Sequence, residues 1–123
     1  MYKRFCLKFK NQTVGYFIES EGQVEYQPNH EVASMLPSGQ GYPVGLFRPI
    51  ISNGRMRPDI EHLPTSQDIE RWLSNRIFPK ERQGAEQILR SLRLNKYDPW
   101  RIAKKTRAIS FNDYYWVDRK SVV

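Results

Sequence analysis

The segment Arg4-Phe5-Cys6-Leu7-Lys8-Phe9-Lys10 decides how the chain begins to fold. Phe5, Leu7 and Phe9 alternate with polar or small residues, which is the period of a β-strand that buries one face. Cys6 falls on the opposite face, where a small structural side chain is the simplest interpretation. The N-terminus is therefore predicted to be part of a sheet.

Two more strands are predicted directly after this one. A turn at Asn11-Gln12 leads into a second strand over 13–19, which is rich in β-branched and aromatic residues. A short third strand over 23–26 completes a three-stranded antiparallel meander. The residues of the second strand that share one face are Val14, Tyr16 and Ile18.

The middle of the chain has the composition of loops. Residues 29–36 predict one short helix capped by Asn29. Residues 37–58 contain four prolines and four glycines, interrupted by an apolar stretch over 44–51 that can add a strand. A connection of this length inside a small domain is usually functional or mobile.

The C-terminal half has the periodicity of helices. Thr65 or Ser66 begins the first, with Asp68 placed to stabilise its first turn. We expect this helix to end at Phe78-Pro79. Its apolar residues at spacings of three and four are Ile69, Trp72, Leu73 and Ile77, and Arg76 follows the same spacing.

Two further helices are predicted after Pro79. Pro79 itself can open the second helix, whose buried face is expected to comprise Ala85, Ile88, Leu89 and Leu92. Asp98-Pro99 predicts an N-cap and first turn for a third helix over 100–105. The fold class is thus α+β in one domain: a β-rich lobe over 1–36, a loop over 37–58 and a basic helical lobe over 59–123.

Residues 110–117 fit either a capped turn or a terminal aromatic strand, in which Tyr114 and Trp116 would share one face and Tyr115 the other. The aromatic side chains of this region can be core residues or partner-binding residues, and both interpretations stay open. These candidates are Trp100, Phe111, Tyr114, Tyr115 and Trp116.

The positive charge is concentrated in the second half of the chain. The net charge is +7, from 20 Lys and Arg against 13 Asp and Glu. Residues 1–61 carry seven bases and six acids, whereas residues 62–123 carry thirteen and seven. This charge can bind nucleic acid or an acidic protein, or simply be a solvated face. The densest bases, in what we call the basic segment over 90–107, are Arg90, Arg93, Lys96, Arg101, Lys104, Lys105 and Arg107.

Several classes of chemistry lack their residues in this sequence. One cysteine makes no internal disulfide, and His30 and His62 have no metal-ligand spacing. The segment Gly39-Gln40-Gly41 lacks the third glycine of a nucleotide-binding loop, and no Lys-Ser or Lys-Thr pair follows it. No serine lies in a nucleophile elbow. No apolar run approaches the roughly 18 residues of a membrane span. We therefore expect no enzymatic activity, cofactor, metal or membrane association, and a cytoplasmic location.

The order of elements resembles the first small subdomain of HipA-type serine/threonine kinases. That resemblance covers most of the chain in outline and rests on short motifs. They are Lys3-Arg4-Phe5-Cys6-Leu7 followed by Asn11-Gln12-Thr13-Val14-Gly15, then Leu63-Pro64, Asp98-Pro99-Trp100 and Ile109-Ser110-Phe111-Asn112-Asp113-Tyr114-Tyr115-Trp116-Val117. The last of these is similar to segments beside such subdomains in Gram-positive bacteria.

The sequence departs from the family in two respects. His62-Leu63-Pro64-Thr65-Ser66 stands where the family has Leu-Leu-Pro-Glu-Gly, and no ATP loop, catalytic loop or metal motif of a kinase lobe is present. The resemblance therefore implies a stand-alone subdomain that supplies no catalytic residues. In split systems of that family, a small protein of this type is the antitoxin that docks on the kinase toxin.

Three hypotheses about function follow. The first is a non-enzymatic protein-interaction module that binds and regulates a larger partner, by resemblance a HipA-like kinase toxin, through residues 37–58 and the aromatic side chains near 111–116. The second is a nucleic-acid-binding protein that uses the basic segment. The third is a phage or mobile-element inhibitor of a host nucleoprotein such as a CRISPR effector, of the anti-CRISPR type.

Overall fold

A four-stranded antiparallel sheet forms the centre of the fold, and the helices that complete the core pack on one of its faces. The computed structural model describes the backbone of residues 2–122 and the side chains of residues 2–37 and 39–118. The α+β class predicted from the sequence is confirmed. The elements are β1 (Tyr2–Phe9), β2 (Gln12–Ser20), β3 (Gln23–Pro28), α1 (His30–Ala33), β4 (Pro49–Ser52), β5 (Arg55–Pro58), α2 (Ser66–Ser74), α3 (Ala85–Ser91), α4 (Pro99–Thr106) and β6 (Tyr115–Val122).

The strand order is β3-β2-β1-β6, so the last strand of the chain lies beside the first. β1 and β6 are antiparallel, with Leu7 opposite Val117, and both of these side chains are fully buried. Residues 110–117 therefore contain both of the predicted structures, a turn followed by a strand. Because β1 is paired on both sides, it is a central strand of the sheet.

The pairing of β1 with β2 contains a β-bulge. Because of this bulge, the predicted shared face of Val14, Tyr16 and Ile18 is wrong. Val14 has no partner in the register, and it is buried together with Phe17. Tyr16 and Ile18 lie on the other face and are only half-buried. An inserted residue in one strand shifts the alternation of side chains, which a strict period of two does not anticipate.

Aromatic rings fill the space between the sheet and the helices. The ring of Phe17 lies 5.0 Å from that of Tyr26, 5.4 Å from that of Trp100 and 6.3 Å from that of Trp72, measured between centroids. Phe5, Leu7 and Phe9 are buried in the same cluster, which confirms the alternation predicted for β1. The first two pairs are tilted and the third is stacked, and ring pairs of this kind add to the stabilisation from buried apolar area.

The helix predicted over 29–36 is shorter than expected. Only His30–Ala33 is helical, and the side chain of Asn29 makes no cap hydrogen bond. The Asn29 amide instead donates to the carbonyl of Thr13 at 3.1 Å, which ties the end of β3 to β2. A tertiary hydrogen bond has thus replaced the local cap.

The loop predicted over 37–58 contains a β-hairpin, β4–β5. Asn53 and Gly54 have φ angles of 54° and 73°, the positive values that a type I′ hairpin turn requires. Ile51 and Met56 face each other across this hairpin and are 78% and 70% exposed. The Asn-Gly pair was the sequence signal for this hairpin, and the dense prolines and glycines around it obscured it.

α2 and α3 are both shorter than the predicted helices. α2 ends at Ser74, so Ile77 lies beyond it and is half-buried. α3 begins only at Ala85, after Gly84 with φ 83°, a left-handed conformation that interrupts a continuous helix from Pro79. The predicted buried face of α3, at Ala85, Ile88, Leu89 and Leu92, is half-buried, and no residue of α3 is fully buried.

The predicted helix starts at Thr65 and Asp98 are confirmed. The Asp98 carboxylate accepts hydrogen bonds from the backbone N–H groups of Trp100 and Arg101 at the start of α4. At α2, Thr65 and Asp68 form a reciprocal capping box. Both signals are local in sequence, so neighbouring residues suffice to predict them.

Gly41 marks a close approach of two backbone segments. A Cβ at this position would lie 2.2 Å from the carbonyl oxygen of Ala33 and 2.4 Å from its Cα. We expect Gly41→Ala to reduce the free energy of unfolding by about 3 kcal/mol, because backbone atoms cannot move aside as a flexible side chain can. Urea unfolding followed by circular dichroism measures the change.

Gly54→Asn is the matched control, because Gly54 has open space around it and asparagine tolerates a positive φ. We expect a change within about 0.5 kcal/mol. Equal effects of the two substitutions would contradict the close approach at Gly41.

Asp68 is the one buried acid in the described core. Burial raises the pKa of its carboxyl, but hydrogen bonds from the Thr65 backbone N–H and from Arg71 outweigh this effect and hold the pKa at about 2. The unfolded carboxyl therefore binds its proton at a higher pH than the folded one. The stabilisation from Asp68 is complete above about pH 5 and is lost as the pH falls towards 2.

We expect Asp68→Asn to remove this pH dependence. The difference in unfolding free energy between wild type and variant should be about 2 kcal/mol larger at pH 7 than at pH 2.5. Urea unfolding at both pH values measures it, with the exposed neighbour Glu70→Gln as the control. A difference that does not change with pH would show that the carboxylate form is not preferentially stabilised.

Candidate functional site

A single buried arginine organises the segment between α4 and β6. The side chain of Arg76 is 5% exposed and lies just after α2. Its guanidinium donates to both carboxylate oxygens of Asp113 at 2.7 Å, to the carbonyl of Ala108 at 2.7 Å and to the carbonyl of Tyr115 at 2.8 Å. It also lies over the ring of Trp72, 4.5 Å from the centroid.

These contacts fix residues 108–115, which we call the aromatic loop. Arg76 reaches the first residue of the loop, its last residue and the carboxylate between them. Desolvation raises the pKa of Asp113, but hydrogen bonds from Arg76 and from the Tyr115 N–H lower it by a larger amount. The pKa of Asp113 therefore lies below its ordinary value. The carboxylate is therefore charged at neutral pH and remains paired with the guanidinium.

The aromatic loop exposes large apolar side chains although its backbone is held in place. Phe111 is fully exposed, and Ile109 and Tyr114 are 58% and 63% exposed. A hydrogen bond between neighbouring residues also stabilises the turn of the loop: the Asn112 N–H donates to the Ser110 hydroxyl at 3.2 Å. A hydrophobic group held at the surface in this manner is characteristic of an interaction site.

The backbone leaves α4 through two consecutive left-handed residues. Arg107 and Ala108 have φ angles of 62° and 52°, and Ala108 is fully buried. The Val117 N–H then donates to the Arg107 carbonyl at 2.8 Å, which joins the helix end to β6. Neither residue is a glycine, so the surrounding contacts must maintain a costly conformation next to the exposed loop.

A surface groove of about 390 Å³ lies beside the loop. The Lys10 Nζ lies 4.8 Å from the ring centroid of Tyr114, and the Lys10 carbonyl accepts from the Trp116 indole N–H at 2.7 Å. Arg107 adds a second cation to the groove lining. The groove therefore combines apolar walls with a positive rim.

The half-buried Tyr115 anchors the end of the loop to the middle of the chain. Its hydroxyl donates to the carbonyl of Gln40, and its ring lies 5.1 Å from that of Phe9. Burial and the nearby Asp113 carboxylate raise the pKa of Tyr115 to about 12. The hydroxyl therefore remains protonated and can donate at any physiological pH.

The structure separates the aromatic candidates into different roles. Trp100 is 8% exposed and belongs to the core, and Tyr115 packs against that core. Phe111 and Tyr114 project into solvent, and Trp116 is half-buried on the opposite side of β6 from Tyr115. From the sequence, all five residues could be either core or partner-binding residues, because apolar character does not distinguish a core side chain from a surface one.

The basic segment is divided among several environments. Lys104 forms an ion pair with Glu19, in which its Nζ lies 2.9 Å from the carboxylate. The Trp100 indole N–H donates to the same carboxylate at 2.8 Å. Two other pairs are looser, Arg90–Glu86 at 4.0 Å and Arg101–Asp98 at 3.8 Å. The exposed members are Arg90, Arg93, Lys96, Arg101, Lys105 and Arg107.

The aromatic residues of the basic segment are not placed for stacking on bases. Trp100 is buried, and the Tyr97 hydroxyl donates to the Phe78 carbonyl at 2.7 Å while its ring packs edge-on against that of Phe78. The segment thus offers exposed charge without an aromatic platform, which leaves its nucleic-acid hypothesis with electrostatics alone.

The sequence analysis did not identify Arg76 as a site residue, although Arg76 follows the spacing of the apolar stripe in the helix predicted to end at Phe78-Pro79. An arginine among Ile69, Trp72 and Leu73 at helical spacing is the signal, because a buried cation needs a partner. Its partner Asp113 is 37 residues away, and no local rule connects the two.

Comparison of the chain with protein-family models, with curated proteins and with solved structures finds no match. Among the described residues, no cluster of His, Cys, Asp or Glu side chains could hold a metal ion. Within the same part of the chain, none of the helices has the length and apolar composition to cross a membrane.

We expect Arg76→Met to reduce the free energy of unfolding by about 3 kcal/mol, because it leaves the Asp113 carboxylate and two carbonyls without their donor. Chemical denaturation measures this loss. The exposed Arg82→Met is the matched control, with an expected change within about 0.5 kcal/mol. The role assigned to Arg76 is wrong if both variants are equally mild.

Proposed function

We propose that the protein is a non-enzymatic protein-interaction module that binds and regulates a larger protein through the aromatic loop. The observation that carries this proposal is the full exposure of Phe111 on a backbone fixed by Arg76. Burial of an exposed aromatic ring against a partner is favourable, and aromatic side chains dominate the energetics of protein interfaces.

The energetics favour binding without a large ordering cost. Burying Phe111 in a pocket of a partner would contribute about 2 kcal/mol from apolar area alone. Residues Ile109 and Tyr114 flank it and would exclude water from the contact. Because Arg76 holds the loop before binding, little backbone entropy is lost on association.

The charge around the aromatic loop indicates the surface chemistry of a complementary partner. Lys10 and Arg107 line the groove together with Tyr114 of the loop. The acid of the loop, Asp113, is paired with Arg76. A complementary partner surface would have an apolar pocket with acidic residues at its rim. The resemblance to the N-terminal subdomain of HipA-type kinases supports a kinase as that partner, in the manner of a toxin–antitoxin pair.

Phe111→Ser tests the proposal on the HipA-type kinase encoded nearest to the protein. We expect at least a tenfold loss of affinity by isothermal titration, together with loss of co-purification and of kinase neutralisation on co-expression. Met35→Ser is the matched control, because Met35 is 80% exposed but lies outside the aromatic loop. The control should bind like wild type.

Two results would overturn the proposal. One is wild-type protein that neither co-purifies with the kinase nor neutralises it. The other is an equal loss of affinity in the Phe111 and Met35 variants, which would locate the contact elsewhere. Both variants change exposed side chains, so thermal unfolding should remain within a few degrees of wild type.

A further inference from the structure

The second face of the sheet carries none of the described helices. The core residues of α2 and α4 pack against the face that contains Phe5, Leu7 and Phe17. Side chains of the opposite face are half-buried or exposed, with the exception of the small Cys6 between them. An antiparallel sheet tolerates one solvated face, so this exposure alone identifies no ligand.

Cations lie over aromatic rings along this open face. The Arg4 guanidinium carbon is 4.6 Å from the ring centroid of Tyr16, and the Lys8 Nζ is 5.3 Å from that of Trp116. Arg4 and Lys8 lie four residues apart on β1 and point to the same side. We call these four residues the cation–aromatic row.

The charge near the row is positive. Residues 1–18 contain four cations, Lys3, Arg4, Lys8 and Lys10, and no acid. The acids that face it from neighbouring strands are Asp118, 3.7 Å from Lys8, and the exposed Glu25 of β3. The near neutrality of the N-terminal half in the sequence therefore conceals a local excess of positive charge on β1.

Arg4 retains an unused donor. Its Nε is buried and has no hydrogen-bond partner among the described residues, while its guanidinium lies on Tyr16. A buried donor without an acceptor is costly. A phosphate oxygen that draws the guanidinium away from the ring would satisfy this donor and expose the aromatic face.

We propose that the open sheet face binds single-stranded nucleic acid along the cation–aromatic row. Unpaired bases stack on Tyr16, Trp116 or the Arg4 guanidinium plane, and Arg4 and Lys8 neutralise phosphates. A duplex keeps its bases stacked inside the helix and cannot use the rings. An apolar protein surface would have to desolvate both cations, whereas a polyanion pairs with them.

The test is fluorescence anisotropy with a labelled oligo(dT) or oligo(U) of twenty nucleotides and a duplex of equal length, from 25 to 200 mM salt. We expect the single strands to bind more tightly than the duplex. Tyr16→Leu with Trp116→Leu should weaken single-strand binding about 10- to 100-fold at fixed salt. Arg4→Gln with Lys8→Gln should reduce the slope of log K against log salt by about 1.4.

Two controls separate the row from general charge and from folding defects. Arg90→Gln with Arg93→Gln removes the same number of charges from the basic segment and should leave the preference for single strands unchanged. Tyr16→Phe keeps the ring and should bind like wild type, and thermal unfolding identifies any variant that has lost its fold. For a destabilised leucine variant, the Arg4 and Lys8 variant provides the decisive comparison.

Several outcomes would overturn the proposal. They are no binding at 25 mM salt, equal affinity for single strand and duplex, or equal effects of the row variants and the Arg90 and Arg93 variant. Self-association that Tyr16→Leu abolishes, measured by sedimentation, would show that the face is a protein contact instead. Phe111→Ser should leave nucleic-acid binding unchanged, so this site and the aromatic loop can fail independently.

Discussion

The hydrogen-bonded ion pair between Arg76 and Asp113 is the interaction on which the C-terminal half of the fold depends. Four hydrogen bonds from one guanidinium join the end of α2 to both ends and the middle of the aromatic loop. Only 5% of the Arg76 side chain is exposed, so water cannot replace these protein acceptors. The loop is thereby fixed, and β6 enters the sheet beside β1.

The fold uses the two faces of its sheet differently. One face packs Phe5 and Phe17 against Trp72 and Trp100 in an aromatic core. The other face carries cations over half-buried rings, and the aromatic loop projects at the edge formed by β6. Rigid core packing on one side supports exposed side chains on the other, which is how a small domain presents recognition surfaces without moving parts.

Local signals predicted much of the architecture. The alternation in β1 and the capping residues Thr65, Asp68 and Asp98 were read correctly because their effects act within a few residues. The bulge at Val14 and the short α3 after Gly84 were not predicted. Both depend on how the rest of the chain packs, which propensity and periodicity do not include.

The sequence by itself determined the α+β class, the strands and helices with strong local signals, the positive charge and the supply of aromatic side chains. Only the tertiary structure decided which of those side chains are exposed, because Trp100 and Phe111 have the same apolar character and opposite burial. It also decided that Arg76 pairs with Asp113 and that Arg4 and Lys8 cover rings on an open face. The physical reason is distance: these partners lie from 12 to 108 residues apart, and only chain folding brings them together.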